Sequence, residues 1–474
     1  MPRALFLLLS SFLAASLLAG SSAGMTVFDE STTVERWKVW RADLDYLIEE
    51  IEQPTTLKAI FKTKGIDWKK VTKAANKRFV EQAKAFKKRK SKDTRAEEIE
   101  FYGILEFVVG QLRDTHAQLK VDGAIVEGWR ATLPMRQQAG IEFLRGDHEL
   151  VLVANTFAGR GSNSPLYGKG VRHEATYLES VDGVPAAEYF AERAQRKFEE
   201  EGWQSTYERA HVEALNDLDI PDGEGIKLIF QTLDDSESAI ERYLATPAGK
   251  RDKAFKSLKW KRRKVSLQAN ECEKTRNPRN FRFMNVKLPE LTKSSDEQID
   301  YVRLDSGYGF IRQFGVSGKS RKGMEEACKA LADCPGMILD MRLNGGGGDS
   351  GIAAFHAQEG EWDKPLAVLQ GPKAMSQAET EIWNLREMRE ARTCNVRFFG
   401  ERTAGSSGAK QPFALPSGFA SGQFVIRHWH GGRSEIEGQG LEPDEEILQD
   451  LVELSLGIDS CIARAEEWLT SEGK

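Results

Sequence analysis

The segment from Met337 to Ser350 constrains the fold of this chain more than any other. Its first residues, Met337–Leu339, are apolar and predict a buried strand, and Asn344 then opens a run of four glycines, Gly345–Gly348. Because glycine has no Cβ, such a loop turns tightly and lets backbone N–H groups approach a ligand. At the carboxyl end of a strand this suits an oxyanion hole, where fixed donors stabilise charge that develops in a transition state. The alternative is a flexible turn.

Ser376 is the candidate nucleophile. It follows the strand-like run 365–369, and apolar residues then recur at helical spacing at Ile382, Leu385 and Met388. Ser376 is therefore predicted at the N-terminus of a helix, where free N–H groups and the helix dipole favour negative charge. The N–H of Gln377 would serve as an oxyanion donor. Ser376-x-x-Glu379 is also a capping-box pattern, so a role as a helix cap stays open.

Three further motifs follow in order: G-E-R-T-A-G at 400–405, L-P-S-G at 415–418 and E-G-Q-G-L-E-P-D at 437–444. Preceded by D-x-R-x-N-x-G-G at 340–347 and S-x-x-E at 376–379, this order resembles the catalytic core of the C-terminal processing (tail-specific) serine peptidases. The resemblance implies a C-terminal α/β sheet core of the crotonase/Clp-protease-like type and acyl-enzyme chemistry without a metal or cofactor.

The base that would serve the serine is less uniform in this family. Its usual base is a lysine directly after G-E-x-T-x-G, where this chain has Ser406, and Lys410 is the next lysine. A second branch, with the tricorn protease core and the interphotoreceptor retinoid-binding protein, carries D-x-H in an N-terminal helical segment, as in Asp114-Thr115-His116. The site that this branch implies is listed by role: nucleophile Ser376, base His116, polar support Thr115 and Glu437, and oxyanion donors Gly345 or Gly346 with Gln377.

This assignment is chemically coherent. A serine hydroxyl is a weak nucleophile at neutral pH and needs an adjacent base. Histidine, with an ordinary pKa of about 6.5, can take that proton and pass it to the leaving amine, while a polar neighbour fixes its tautomer. For His116 the alternative is a polar residue at a helix end, and for the base it is Lys410.

Other chemistry-bearing residues have simpler interpretations. Gly348-Asp349-Ser350-Gly351 resembles a trypsin-type serine motif, but Ser350 is better explained as a helix cap in an α/β context. His428 and His430 point to one face of a predicted strand, yet no third metal ligand with suitable spacing accompanies them. Asp340 and Arg342 are expected to form a structural ion pair.

Composition bounds the cellular context. Residues 1–24 carry Arg3, an apolar run and then small residues, which is typical of a secretory signal peptide cleaved near Ala23. The predicted location is periplasmic or secreted, without stable membrane insertion. A net charge of −5 gives no indication of a nucleic-acid partner. The five cysteines form no C-x-x-C pair; one or two disulfides, with a thiol left over, suit an exported chain.

The pattern of residue types along the sequence predicts an α+β multidomain chain. A helical N-terminal domain spans 25–125, a β-rich module 126–235, a charged insertion 236–297 and the α/β core 298–474. Within the β-rich module, Gly170-Val171 and the later Val181-Asp182-Gly183-Val184-Pro185 resemble a degenerate PDZ domain, and the alternative is an ordinary strand and turn. The basic run Lys250–Lys264 is interpreted as a solvated insertion or helix face rather than a nucleic-acid site.

The sequence thus favours an exported serine endopeptidase that acts on proteins or peptides. Two alternatives remain: a catalytically inactive ligand- or peptide-binding protein on the same fold, and a hydrolase for non-peptide acyl substrates. The sequence does not determine the substrate or the oligomeric state.

Overall fold

The computed structural model describes residues 32–53, 61, 65–89, 94–112, 117–120, 137–138, 141–156, 175–199, 206–215, 218–220, 225–247, 250–268, 286–348, 362–427 and 436–472. Several predictions concern residues outside these ranges: the signal sequence 1–24, Thr115, His116, Gly170-Val171, Ser350, His428 and His430.

The N-terminal segment is helical, as its spacing predicts, with α1 (Thr33–Glu52), α2 (Trp68–Arg89) and α3 (Thr94–Gly110). Trp40 of α1 stacks on Phe101 of α3, with ring centroids 4.9 Å apart, and both rings contact Phe419. Phe419 lies between two strands of the C-terminal core, β16 (Ala409–Ala414) and β17 (Ser421–Arg427). The helices and this hairpin therefore share one hydrophobic core. Strand β1 (Gln118–Lys120), two residues after His116 in the chain, pairs antiparallel with β17.

The middle module, residues 137–268, is built on an antiparallel sheet in the order β3-β4-β5-β8-β9. Its strands are β2 (Gln137–Gln138), β3 (Ile141–Arg145), β4 (Val151–Thr156), β5 (Thr176–Val181), β6 (Val184–Pro185), β7 (Asp219–Ile220), β8 (Gly225–Leu233) and β9 (Trp260–Gln268). Its helices are α4 (Ala186–Glu199), α5 (Tyr207–Leu215), α6 (Glu237–Leu244) and α7 (Arg251–Lys256). Helices α4 and α5 pack on one face of the sheet, whereas α6 and α7 pack on the other.

The predicted insertion at 236–297 differs from the structure in one respect. Strand β9 pairs with β8 along its whole length, so the sheet of the middle module extends to Gln268 rather than ending near residue 235. Its basic residues are mostly exposed, while Val265 and Leu267 alternate inward. A strand at a sheet edge with one solvated face needs only these few apolar positions, which explains why the sequence pattern resembles a charged insertion.

The C-terminal core is a seven-stranded sheet in the order β10-β11-β12-β13-β14-β15-β18. The strands are β10 (Thr292–Lys293), β11 (Ile299–Arg303), β12 (Gly309–Gln313), β13 (Met337–Asp340), β14 (Trp362–Gln370), β15 (Cys394–Gly400) and β18 (Glu445–Glu446). The helices are α8 (Ser320–Ala330), α9 (Gln377–Glu390), α10 (Leu451–Ser455) and α11 (Ser460–Glu472). Side chains alternate between the faces: Met337 and Leu339 pack with α8 and α9, and Ile338 packs with α11.

Strands β12, β13, β14, β15 and β18 are parallel neighbours. Their carboxyl ends therefore meet at one edge of the sheet, which is where ligand sites of open α/β sheets form. The loops that leave β13, β14 and β15 at this edge carry the glycine run, Ser376 and the G-E-R-T-A-G turn, so the predicted α/β core is confirmed.

Two remaining features bear on the sequence predictions. Cys328, Cys334, Cys394 and Cys461 are buried free thiols, while Cys272 lies outside the described residues. No helix within the described part of the chain has the length and apolar character needed to cross a bilayer.

Candidate active site

Ser376 occupies a sharp turn between β14 and α9. Its backbone has φ 59° and ψ −123°, a conformation that costs a non-glycine residue about 1–3 kcal/mol. The side chain makes no capping hydrogen bond to the helix. The capping interpretation therefore lacks its defining contact, and a strained serine at a strand-to-helix turn is instead the geometry of a nucleophile elbow.

The backbone of this turn is bonded to the two neighbouring loops. The Ser376 N–H donates to the Ser406 carbonyl oxygen at 2.6 Å, and the Met375 N–H donates to the Asn344 carbonyl oxygen at 3.1 Å. Within the helix, the Ser376 carbonyl oxygen accepts from the N–H groups of Glu379 and Thr380. The strained conformation is thus held by contacts from β13 and β15 as well as by the first turn of α9.

Gly346 of the predicted oxyanion loop lies directly against this turn. A Cβ on Gly346 would come within 2.7 Å of both the Met375 carbonyl oxygen and the Ser376 Cβ, and within 2.9 Å of the Gln377 nitrogen. Its φ is +84°, which favours glycine. Gln377 is the first residue of α9, so its N–H cannot be bonded within the helix. The structure therefore brings Gly346 and Gln377 together beside the candidate nucleophile.

The predicted donors differ in how they are engaged. The Gly346 N–H donates to Asn344 Oδ1 at 2.9 Å, so this donor must exchange that bond before it can bind an oxyanion. The Gly345 N–H is directed at the Phe314 carbonyl oxygen, 3.4 Å away. Of the two glycines offered by the sequence, Gly346 is thus the one that adjoins Ser376.

A buried ion-pair network anchors the start of the oxyanion loop. Arg342 donates to both carboxylate oxygens of Asp340, at 2.9 Å each, and to Asp459 at 3.0 and 2.8 Å. Arg312 adds a bond to Asp340 at 3.2 Å. Burial alone would raise the pKa of Asp340, but the neighbouring Arg342 and Arg312 lower it to about 2. Asp340 and Arg342 form the structural pair that the sequence predicts.

Glu379 has a role that the sequence analysis missed. Its buried carboxylate accepts hydrogen bonds from Thr403 Oγ1 at 2.5 Å, Gly405 N at 2.7 Å and Ser406 N at 2.8 Å. Burial raises the pKa of Glu379 to about 7, although these hydrogen bonds oppose the rise. Glu379 therefore connects α9 to residues 403–406. The last of these, Ser406, accepts the Ser376 N–H with its carbonyl oxygen.

Glu437 contacts the same turn one residue further along the chain. Its Oε2 accepts the Ser407 N–H at 2.8 Å, and the next residue, Gly438, donates to the Gly405 carbonyl oxygen at 2.7 Å. Glu437 is therefore brought to within one residue of the Ser376–Ser406 contact. Lys410, by contrast, is exposed at the start of β16.

The predicted base, His116, and its neighbour Thr115 lie outside the described residues, so their distances to Ser376 stay predictions. The nearest described element, β1, is held against β17 with Leu119 opposite Gly422.

A group of three metal-ligating types, Asp147, His148 and Asp450, lies elsewhere, between the middle module and the core. Their polar atoms already have partners. His148 bonds to Asp252 through Nδ1 at 2.6 Å and to Tyr243 through Nε2 at 3.0 Å, and Tyr243 donates to Asp450 at 2.6 Å. These bonds form a contact between the middle module and the core.

The C-terminal core thus combines an open α/β sheet with a strained serine that lies at the start of a helix and beside a glycine loop. Residues 352–447 match the model of peptidase family S41. This match lies within the C-terminal core and agrees with the resemblance of its motifs to the C-terminal processing peptidases, so the comparisons support a serine-type peptidase.

One solved structure, that of CPAF, shows the same fold. Mature CPAF complexed with lactacystin is similar at 12% identity over 94% of this chain and 98% of its own, with a TM-score of 0.52. Tricorn protease shares 14% identity over 92% of this chain and 37% of its own, with a TM-score of 0.38. A protein from Parabacteroides merdae ATCC 43184 is 20% identical over 36% of this chain, with a TM-score of 0.30, and the chain covers less than two thirds of it (64%). No curated protein sequence matches significantly.

Proposed function

We propose that this chain is an exported serine endopeptidase that cleaves proteins or peptides through an acyl-enzyme formed on Ser376. The observation that carries the proposal is the strained Ser376 backbone, packed against Gly346 and the free end of α9. Strain of this kind persists only where surrounding contacts hold it, and it concentrates at functional sites. Export is proposed from the leader-like composition of residues 1–24.

In the first step, Ser376 Oγ attacks the scissile carbonyl carbon and its proton passes to His116. The carbonyl oxygen becomes an oxyanion that accepts from the Gln377 N–H and from the Gly346 N–H, which exchanges its bond to Asn344 Oδ1 for one to the oxyanion. Collapse of this intermediate breaks the C–N bond, and His116 delivers the proton to the leaving amine. Water, deprotonated by His116, then attacks the acyl-enzyme and releases the carboxylic acid and the free serine. Thr115 and Glu437 orient the base or the turn around it.

We propose that the base is a histidine, as in the tricorn-type branch, on two grounds. The position that carries the lysine in the other branch is Ser406, which is buried and whose carbonyl oxygen receives the Ser376 N–H. Lys410 is exposed, and a lysine that acts as a base needs its pKa lowered by burial or by a nearby cation.

The decisive experiment is labelling with a serine-reactive fluorophosphonate, followed by mass-spectrometric mapping of the modified residue, on the wild type, Ser376→Ala and Ser350→Ala. We expect labelling at Ser376 in the wild type and in Ser350→Ala. The Ser376→Ala variant should lose both this labelling and the hydrolysis of a peptide library. Ser350→Ala is the matched control because it removes the competing serine motif.

Other outcomes select the alternatives. A folded wild type that neither labels nor hydrolyses peptides would favour a non-catalytic binding protein on the same fold. Labelling at Ser376 with hydrolysis of small esters, but of no peptide or protein, would favour a non-peptide acyl hydrolase.

A further inference from the structure

The start of α5, in the middle module, contacts the G-E-R-T-A-G turn of the core. The Thr206 N–H donates to the Ala404 carbonyl oxygen at 2.9 Å, and the Thr206 hydroxyl donates to the Thr403 carbonyl oxygen at 3.0 Å. Thr206 is 3% exposed, so both bonds are shielded from water. These bonds join the middle module to the core at the G-E-R-T-A-G turn, and the next residue, Ser406, accepts the Ser376 N–H.

The methyl group of Thr206 fills the space left by two glycines. A Cβ on Gly405 would lie 3.1 Å from Thr206 Cγ2, and one on Gly440 would lie 2.9 Å from it. Both glycines have positive φ values, +70° and +65°. The G-E-R-T-A-G turn and the E-G-Q-G-L loop are thus shaped to receive this one side chain.

The same helix contacts a second loop of the site. Arg209 Nη1 donates to the Pro372 carbonyl oxygen at 3.4 Å, in the loop that leads from β14 to Ser376. Glu208 Oε1 lies 3.5 Å from Nε of Arg402, which belongs to the G-E-R-T-A-G turn. The helix therefore contacts both chain segments that determine where Ser376 lies.

We infer that Thr206 is a positioning residue of the active site: through its bonds to the 403–404 carbonyls, helix α5 of the middle module sets the position of the turn that holds Ser376. From Thr206 the contact passes to Thr403, whose hydroxyl bonds Glu379, and to Ser406, whose carbonyl oxygen accepts the Ser376 N–H. This inference rests on the proposed function of Ser376.

The test compares Thr206→Val with Thr206→Ser. Valine keeps the shape but removes the hydroxyl, which also caps α5 by accepting the Arg209 N–H at 3.4 Å; serine keeps the hydroxyl and loses only the methyl. Thr206→Ala is measured alongside because it adds no group that could prevent folding. Ala210→Gly is the matched control, since it weakens the same buried helix and leaves the Thr206 side chain in place.

We expect kcat for a short peptide, and the rate at which fluorophosphonate labels Ser376, to fall about ten- to a hundredfold in Thr206→Val and Thr206→Ala, because small displacements of a catalytic group have effects of this size. KM should stay within about twofold, and Thr206→Ser and Ala210→Gly should stay within about threefold of the wild type in kcat. Melting curves confirm that each variant is folded at the assay temperature.

Wild-type kcat and labelling in whichever hydroxyl-free variant folds would overturn the inference. An equal loss in Ala210→Gly would also overturn it, because general weakening of the helix would then suffice. Failure of the proposed function is separate: it requires that the wild type itself is not labelled at Ser376.

Discussion

Replacement of Gly346 by alanine tests the oxyanion loop with a single methyl group. The new Cβ would lie 2.7 Å from the Met375 carbonyl oxygen and from the Ser376 Cβ, whereas ordinary contact begins at 3.4 Å. The loop or the serine turn must therefore move by the difference, 3.4 − 2.7 = about 0.7 Å. The atoms in the way belong to the backbone and to the nucleophile, so no flexible side chain can yield instead.

The expected effect on rate is large and the effect on stability moderate. Misplacement of a reacting group by about 1 Å costs on the order of a hundredfold, and loss of one oxyanion donor costs about a hundred- to a thousandfold, or roughly 2.7–4 kcal/mol of transition-state stabilisation. The methyl group is also directed at the Gln377 nitrogen. We expect kcat/KM to fall by about 10²–10³, while the positive φ of Gly346 adds a destabilisation of about 1–2 kcal/mol.

Gly348→Ala is the matched control in the same loop. Its Cβ would meet no atom of the described residues within 4 Å, and its φ is not in the left-handed region. The assay is kcat/KM on an internally quenched peptide at 25 °C, with the labelling rate of Ser376 and a melting curve for each variant. Activity of Gly346→Ala within about threefold of the wild type, or equal loss in Gly348→Ala, would refute the oxyanion assignment.

Three further predictions address the base, the buried acid and the strain. His116→Ala should abolish turnover while Lys410→Ala retains it, and the reverse result in kcat/KM would restore a Ser–Lys dyad. Because burial raises the pKa of Glu379 to about 7, the folded chain binds this proton more tightly than the unfolded chain, and stability falls as pH rises from about 4.5 to 7, by roughly 3 kcal/mol. Glu379→Gln should flatten this part of the stability curve in urea unfolding at pH 5 and pH 7, and an unchanged slope would contradict the assignment. Ser376→Gly should abolish turnover yet raise the melting temperature by a few degrees, because glycine adopts φ 59° without the cost that serine bears; a lower melting temperature would show that the side chain stabilises the fold.

Local patterns predicted the core elements well. The apolar spacing of 382, 385 and 388 placed α9, and with it the position of Ser376 at a helix start. The glycine run placed the loop that meets it, because glycine is needed wherever two backbones approach closely. These features depend on neighbours in sequence, which a pattern can report.

Long-range contacts could not be predicted in the same way. The partners of Glu379 lie 24 to 27 residues away, so the local S-x-x-E pattern suggested a capping box instead. Thr206 bonds a residue 197 positions away, and nothing in its own sequence marks it. The one available signal was the pair of glycines, Gly405 and Gly440, whose side-chain space it fills.

The distribution of these contacts explains why the site depends on the middle module as well as on the core. A serine at φ 59° and ψ −123° is higher in energy than a relaxed one, and the bonds that hold it from outside its own helix come from the loops after β13 and β15. The Asp340–Arg342 pair supports the loop after β13, and Glu379 and Thr206 support the loop after β15. Each of these groups is buried, so removing one leaves an unsatisfied partner, at about 1–3 kcal/mol, next to a conformation that already requires support. Variants in this supporting layer should therefore reduce labelling of Ser376 before they unfold the chain, and the rate of labelling is a more sensitive measure of the layer than the melting temperature.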